Sequence, residues 1–213
     1  MATPSSGAIS LNDMHVEVGG SSGSECSIND ADIRLIADKS SGATASWNDY
    51  YSRAADWSIT MTVGDGTISS SDGYVTTVTR YRGYMTSTAI SATAVPAGGI
   101  GSMNDYQDSD YLANAVIDVL AIYGDQAGTS SNLRLQIFNG TISNNDTAFK
   151  SVVMNGTTYN RTDASFNQNN NADRVYTTWS WSVSGAVPDA SSDAYAPFGV
   201  ANASNTITFR RSR

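Results

Sequence analysis

Two periods divide this chain. Before residue 55 apolar positions recur at helical spacing: Ile28, Leu35 and Ile36 fall on one face, with Asp32, Arg34, Asp38 and Lys39 elsewhere. Gly19-Gly20 predicts the end of a first helix. From about residue 56 the period is two. Trp57, Ile59, Met61 and Val63 alternate with small polar residues, and Asp65-Gly66 predicts the turn after them. Residues 74–84, rich in Thr, Val and Tyr, predict a second strand. The apolar stretch Ala113 to Tyr123 reads as a buried strand, with a helix left open by periodicity alone. Leu133, Leu135 and Ile137 alternate with Arg134 and Gln136. Asn139-Gly140 and Asn155-Gly156 are hairpin turns between strand-forming residues. Val175, Thr177, Trp179, Trp181 and Val183 lie on one side of a long strand, and Thr206 to Phe209 form the last. Asn167 to Asn171 reads as a loop without packing content. The expectation is a mainly β protein: an antiparallel β-sandwich, jelly-roll-like, over residues 56–213. A small module of three short capped α-helices precedes it over residues 1–55.

The helical part is repetitive. Ser10-Leu11-Asn12-Asp13, Ser27-Ile28-Asn29-Asp30 and Ser46-Trp47-Asn48-Asp49 each come after a Ser-Ser-Gly spacer, and their Asn residues lie 17 and 19 positions apart. Such repetition signals one small unit used several times. Ser with Asp three residues later is a capping box: the hydroxyl accepts from an orphan backbone N–H, and the acid accepts from the N–H of the Ser. The carboxylate also suits the positive end of the helix dipole. Ile9, Cys26 and Ala45 precede the caps, and Met14, Ala31 and Tyr50 stand where a hydrophobic staple would close. Helices this short are unstable alone. They are therefore expected to dock on the following domain or on another chain. The candidate assembly residues are Ser10, Leu11, Asp13, Ser27, Ile28, Asp30, Ser46, Trp47 and Asp49. Trp47 is the foremost anchor, because large aromatics often dominate an interface.

Composition narrows the partners. Hydrophobic residues are 40% of the 213 and charged residues 15%, so the remainder is largely Ser, Thr, Asn and Gly. Net charge is −8 and lysine occurs only at Lys39 and Lys150, which argues against nucleic acid and anionic membrane. The basic run Arg210-Arg211-Ser212-Arg213 is too small to reverse this and is expected to pair with an acidic neighbour or stay in solvent. No apolar run approaches the roughly 18 residues needed to cross a bilayer. Residues 1–6 lack the basic and apolar parts of a signal peptide. The expectation is synthesis in a cytoplasm without secretion by that route. The single cysteine, Cys26, excludes an internal disulfide and a cysteine-based zinc site, and reads as a small hydrophobe before a cap.

Catalytic chemistry is sparse in the pattern. The one histidine, His15, sits in the first repeat, where packing or surface exposure explains it better than a nucleophilic triad. Gly98-Gly99-Ile100-Gly101 lacks the Lys-Ser/Thr ending of a phosphate loop and reads as a plain loop. Asp105, Asp108 and Asp110 contain a fragment of a calcium loop, without the Gly and distal Glu that would complete it. Paired carboxylates for glycoside cleavage have no recognisable spacing here, and Glu occurs only at Glu17 and Glu25. The reading is therefore not an enzyme, with no catalytic residues, cofactor or metal.

Ser6-Gly7-Ala8-Ile9-Ser10-Leu11-Asn12-Asp13 and its two echoes resemble the repeats of uncharacterised structural and tail-associated proteins of tailed bacteriophages, especially marine ones. The later segment is similar to a domain recurring in such proteins. Its marks are Val153-Met154-Asn155-Gly156-Thr157-Thr158-Tyr159, Arg161-Thr162-Asp163-Ala164, Tyr176-Thr177-Thr178-Trp179-Ser180-Trp181 and Pro197-Phe198-Gly199. The two regions cover about half the chain. The resemblance implies a virion structural protein whose partners are other virion proteins and its own symmetry copies, as a homo-oligomer. It would serve as decoration, fibre, or tail or neck appendage. Two alternatives stand beside it: a tip that binds a host receptor or surface glycan, and a polysaccharide-degrading appendage.

Overall fold

The computed structural model describes residues 2–37, 39, 42–51, 55–71, 76–87, 96, 98–104, 112, 115–125, 130–138, 142–144, 149–171, 174–185 and 194–211. The turn at Asn139-Gly140 and the acidic stretch Asp105, Asp108 and Asp110 lie outside them. The chain opens with helices α1 (Leu11–Glu17) and α2 (Ala31–Ile36) and a 3-10 turn at Trp47–Tyr50. Among the described residues eleven strands come next: β1 (Asp56–Thr62), β2 (Gly64–Ser71), β3 (Thr76–Met85), β4 (Ser102–Met103), β5 (Val116–Asp125), β6 (Ser130–Phe138), β7 (Ser151–Met154), β8 (Thr157–Asn160), β9 (Ser165–Asn171), β10 (Arg174–Ser184) and β11 (Ser204–Arg210). They form two antiparallel sheets, one of five strands in the order β4-β1-β11-β7-β8 and one of six in the order β2-β3-β5-β6-β10-β9.

Alternation sets which face is buried. Trp57, Ile59 and Met61 point inward from β1 while Ser58, Thr60 and Thr62 face out. Ile207 and Phe209 of β11 lie opposite Ile59 and Trp57, and the Trp57 and Phe209 rings stack at 4.9 Å. From the larger sheet Ile117, Leu120, Ile122, Leu133, Leu135, Ile137, Trp179 and Trp181 join the same apolar cluster. Phe149 links the two sides, meeting Trp179 at 4.9 Å and Phe209 at 5.7 Å. The sheets thus share one core in a sandwich-like arrangement.

Several expectations change. Of the expected sandwich the topology shows two antiparallel sheets visited in turn, the smaller by β1, β4, β7-β8 and β11 and the larger by β2-β3, β5-β6 and β9-β10. Asp65-Gly66 makes no turn but lies inside β2, because the chain swings between sheets at Val63 and Gly64. Asn167 to Asn171 forms most of edge strand β9, paired with β10 from Ser165↔Ser180 to Asn171↔Arg174. Its amides carry no apolar signal, but the backbone ladder needs none. The Ala113–Tyr123 run is strand from Val116, and Val119 and Ala121 on its outer face are as buried as Ile117 on its inner one. Burial on both faces explains why periodicity there is ambiguous.

The remaining motifs have structural roles. Asn155 and Gly156 have φ of 47° and 79°, as a two-residue turn between β7 and β8 requires. Arg161 is buried, donating from Nε to Phe149 O at 2.9 Å and from Nη1 to Asn144 Oδ1 at 2.8 Å. Phe198 is in the core, and Gly199 O accepts from Arg82 Nη1 at 3.2 Å. Of the basic run, Arg210 pairs with Asp56 at 3.8 Å, whereas Arg211 is buried instead of solvated.

The N-terminal residues build a second, smaller core from Met14, Val18, Ile33, Ile36, Ala37, Tyr50 and Ala55, with Ile9, Leu11, Cys26, Ile28 and Ala45 packed around it. Burial pushes the Tyr50 phenol pKa up, and its hydroxyl has no hydrogen-bond partner among the described residues. An orphaned buried polar atom costs about 1–3 kcal/mol. Tyr50→Phe is therefore expected to leave the protein as stable or about 1 kcal/mol more stable by chemical denaturation; a clear loss would show that the hydroxyl is satisfied in solution.

Candidate functional site

The three repeats share one local geometry. Gly7, Gly23 and Gly42 of the spacers have φ of +87°, +80° and +79°, a region that side chains disfavour. In each copy the Asp accepts from the Ser backbone N–H: Asp13 from Ser10 at 2.8 Å, Asp30 from Ser27 at 2.8 Å and Asp49 from Ser46 at 2.7 Å. The full reciprocal box forms at Ser10 and Ser46. In the second copy the Ser27 hydroxyl accepts from Asn29 N instead, and Asp30 becomes the N-cap of α2 without a side-chain cap bond. The expectation of three capped α-helices is thus corrected to two short helices and a 3-10 turn.

The repeats are tied to one another. Gly23 N donates to Asn12 Oδ1 at 2.8 Å, joining the first two. Arg34 donates to Ala43 O, and Lys39 pairs with Asp49 at 3.4 Å, joining the second and third. The Tyr51 hydroxyl returns to Gly7 O at 2.5 Å, joining the third to the first. The small helices thus bury part of their apolar surface against one another. The module meets the β domain at Ala55, whose N–H donates to the buried Glu17 carboxylate at 2.9 Å and whose carbonyl accepts from Arg211 N at 3.1 Å.

The candidate assembly residues ring this small core. Ser10, Ser27, Ser46 and Asp30 are exposed, and Asp13 and Asp49 are partly exposed. Leu11, Ile28 and Trp47 hold the same place in the repeated word. Leu11 and Ile28 pack on the core, whereas Trp47 is 48% exposed on its capped turn. His15 bonds through Nε2 to Ser24 Oγ at 2.7 Å, and Cys26 is half-buried with Sγ 3.9 Å from Leu11 O.

The caps make the module sensitive to acid. The Ser10 hydroxyl and then its N–H hold the Asp13 carboxyl below the usual aspartate range, and the Ser46 N–H, helped by Lys39, does the same for Asp49. A lowered folded-state pKa means the stabilisation is fully present above the ordinary value of about 3.9 and is lost as pH falls through the lowered one. Amide resonances of Ser10 and Ser46 should therefore titrate with midpoints below about 3.9. Midpoints at or above that value would show that the boxes are open in solution.

A second constellation lies on the outer face of the larger sheet. The Thr86 hydroxyl donates to Asp118, Gln136 Nε2 donates to Asp118 Oδ2 at 2.9 Å, and Thr178 Oγ1 donates to Gln136 Oε1 at 3.3 Å. This row of side chains crosses from the end of β3 over β5 and β6 to β10. One pleat along, Arg134 sits 4.7 Å over the Tyr123 ring and donates from Nη2 to its hydroxyl at 2.7 Å. Beside it is a depression of about 440 Å³ whose lining includes Arg134, Gln136, Asn167, Tyr176, Thr178 and Ser180. In the sequence Arg134 and Gln136 show only as the polar half of an alternating strand. That alternation in β6, matched by the Tyr176, Thr178 and Ser180 series in β10, is the one signal of the depression that the chain order carries.

Among the described residues no cluster of His, Cys, Asp and Glu could hold a metal ion, and no helix is long and apolar enough to cross a membrane. Compared with known proteins, the chain matches no family model, no curated protein and no solved structure.

Proposed function

We propose that the protein is a structural component of a tailed-bacteriophage particle. The N-terminal module attaches to neighbouring virion proteins or to further copies of the chain, and the β domain is carried as decoration, fibre, or tail or neck appendage. It is made in the bacterial cytoplasm and resides in the virion. The motif resemblance in both halves supports this reading, and the observation that carries it is Trp47. Two equivalent apolar positions are spent on the module's own core, while the third, the largest, stays exposed on a turn held by a reciprocal capping box. A rigidly held aromatic loses little entropy on docking, which suits an interface anchor.

Trp47→Ala is expected to leave unfolding within about 0.5 kcal/mol of wild type, as for most exposed positions. Its abundance in purified particles, measured by quantitative mass spectrometry, should fall several-fold. Normal incorporation of the variant, or absence of the wild-type protein from particles, would overturn the reading. A second reading, a tip that binds host-surface glycan, draws on the polar depression of the larger sheet.

A further inference from the structure

We infer that the depression on the outer face of β6, β9 and β10 binds an acidic saccharide, a uronate-type sugar whose carboxylate pairs with Arg134. The inference deepens the glycan reading and does not depend on the tether. Arg134 is the observation that sets the ligand class. The chain has 20 acidic residues against 12 Lys and Arg, yet Arg134 forms no ion pair among the described residues. Its one hydrogen bond among them is to the Tyr123 hydroxyl, and its Nε has no partner there. Ring and hydroxyl of Tyr123 hold the guanidinium in place while most of its donors are unused among the described residues. A planar fork of this kind matches a carboxylate in bidentate geometry.

The surroundings favour a sugar over a bare anion. Ser180 lies opposite Arg134, Thr178 opposite Gln136, and Asn167 beyond Thr178 on β9, so one stretch of pleat presents hydroxyls and amides side by side. Gln136 and Thr178 are almost fully buried and orient each other through their 3.3 Å bond, with Gln136 held in turn by Asp118. These groups are set before any ligand arrives, which lowers the entropic cost of binding. Tyr176 supplies an aromatic wall, its hydroxyl receiving among the described residues only a long 3.4 Å bond from Asn169. The volume, about 440 Å³, lies within the usual range for small-ligand pockets.

The test is calorimetric titration of the full chain with an oligogalacturonate, a neutral oligosaccharide of equal length, and acetate and inorganic phosphate as anion controls. Saturable binding of the oligogalacturonate alone, weakening as salt rises, is the expected result. Arg134→Gln should weaken it roughly tenfold or more. Should that variant fail to fold, Arg134→Lys keeps the charge without the fork, and Ser180→Leu fills the depression from a solvent-facing position; each should also weaken binding. Equal binding of the neutral sugar, equal binding of the simple anions, no binding at all, or unchanged binding in folded variants would each overturn the proposal. Loss of the protein from phage particles would leave it untouched, so the two readings fail separately.

Discussion

Gly64→Ala is expected to destabilise the protein by about 3 kcal/mol or more, although it adds a single methyl group. The reason is a contact between two crossings from sheet to sheet. At Gly64 the chain leaves β1 for β2, where Gly64 pairs with Gly83 of β3. Downstream, Ile100 bridges to Met85 at the larger sheet, and beyond Gly101 the chain enters β4, pairing Ser102 with Thr62 of β1. The two crossings touch backbone to backbone at Gly64 and Gly101. A Cβ on Gly64 would overlap the Gly101 nitrogen and lie 2.7 Å from its Cα. A Cβ on Gly101 would lie 2.6 Å from Thr62 O and 2.8 Å from Gly64 N, and Gly101 also has φ of +64°. None of these atoms ends a flexible side chain, so relief requires moving one sheet relative to the other. Gly64 has no positive φ, so its alanine variant isolates the steric effect. Chemical denaturation provides the measurement, and a change below about 0.5 kcal/mol would show that the crossings stand apart in solution.

Trp179→Ala should cost about 3–5 kcal/mol and lower the cooperative unfolding transition of the whole β domain. Trp179 is fully buried and meets Phe149 edge-on at 4.9 Å and Phe166 at 5.7 Å. Its indole N–H donates to Asn144 Oδ1 at 3.1 Å, the same oxygen that accepts from Arg161 Nη1. Removing the ring therefore leaves a cavity and loosens the residues that hold Arg161 over the end of the core. Trp179→Phe keeps most of the packing and loses the bond to Asn144, so about 1–2 kcal/mol is expected. A local change in one sheet, with the other melting normally, would mean that the two sheets do not share a core.

Legibility in the sequence varies with the physics of each segment. β1, β6, β10 and β11 are legible because one face is apolar and the other mostly polar, and strict alternation records that asymmetry. The hairpin at Asn155-Gly156 is legible because its backbone conformation selects its residues. β9 is not, because an edge strand of Asn and Gln is held by its ladder to β10 and leaves no apolar trace. Strand order is not legible for another reason: which strands are neighbours is settled by pairing across the sheet.

The same division holds at the candidate sites. The bond from each repeat Asp to its Ser N–H spans three residues, so the chain's local order is enough to predict it in all three copies. Local order could not say that the repeats would close on one another, which depends on Asn12 reaching Gly23, Arg34 reaching Ala43 and Tyr51 reaching Gly7. Nor could it gather Arg134, Tyr176 and Asn167, carried on three different strands, around one depression. The sequence by itself determined the β-rich class, the repeat and its capped turns, because these are set by neighbours along the chain. Only the tertiary structure decided that the repeats pack on one another, that Trp47 is left exposed and that Arg134 lacks a counter-charge among the described residues, because burial and pairing are set by residues far apart in the chain.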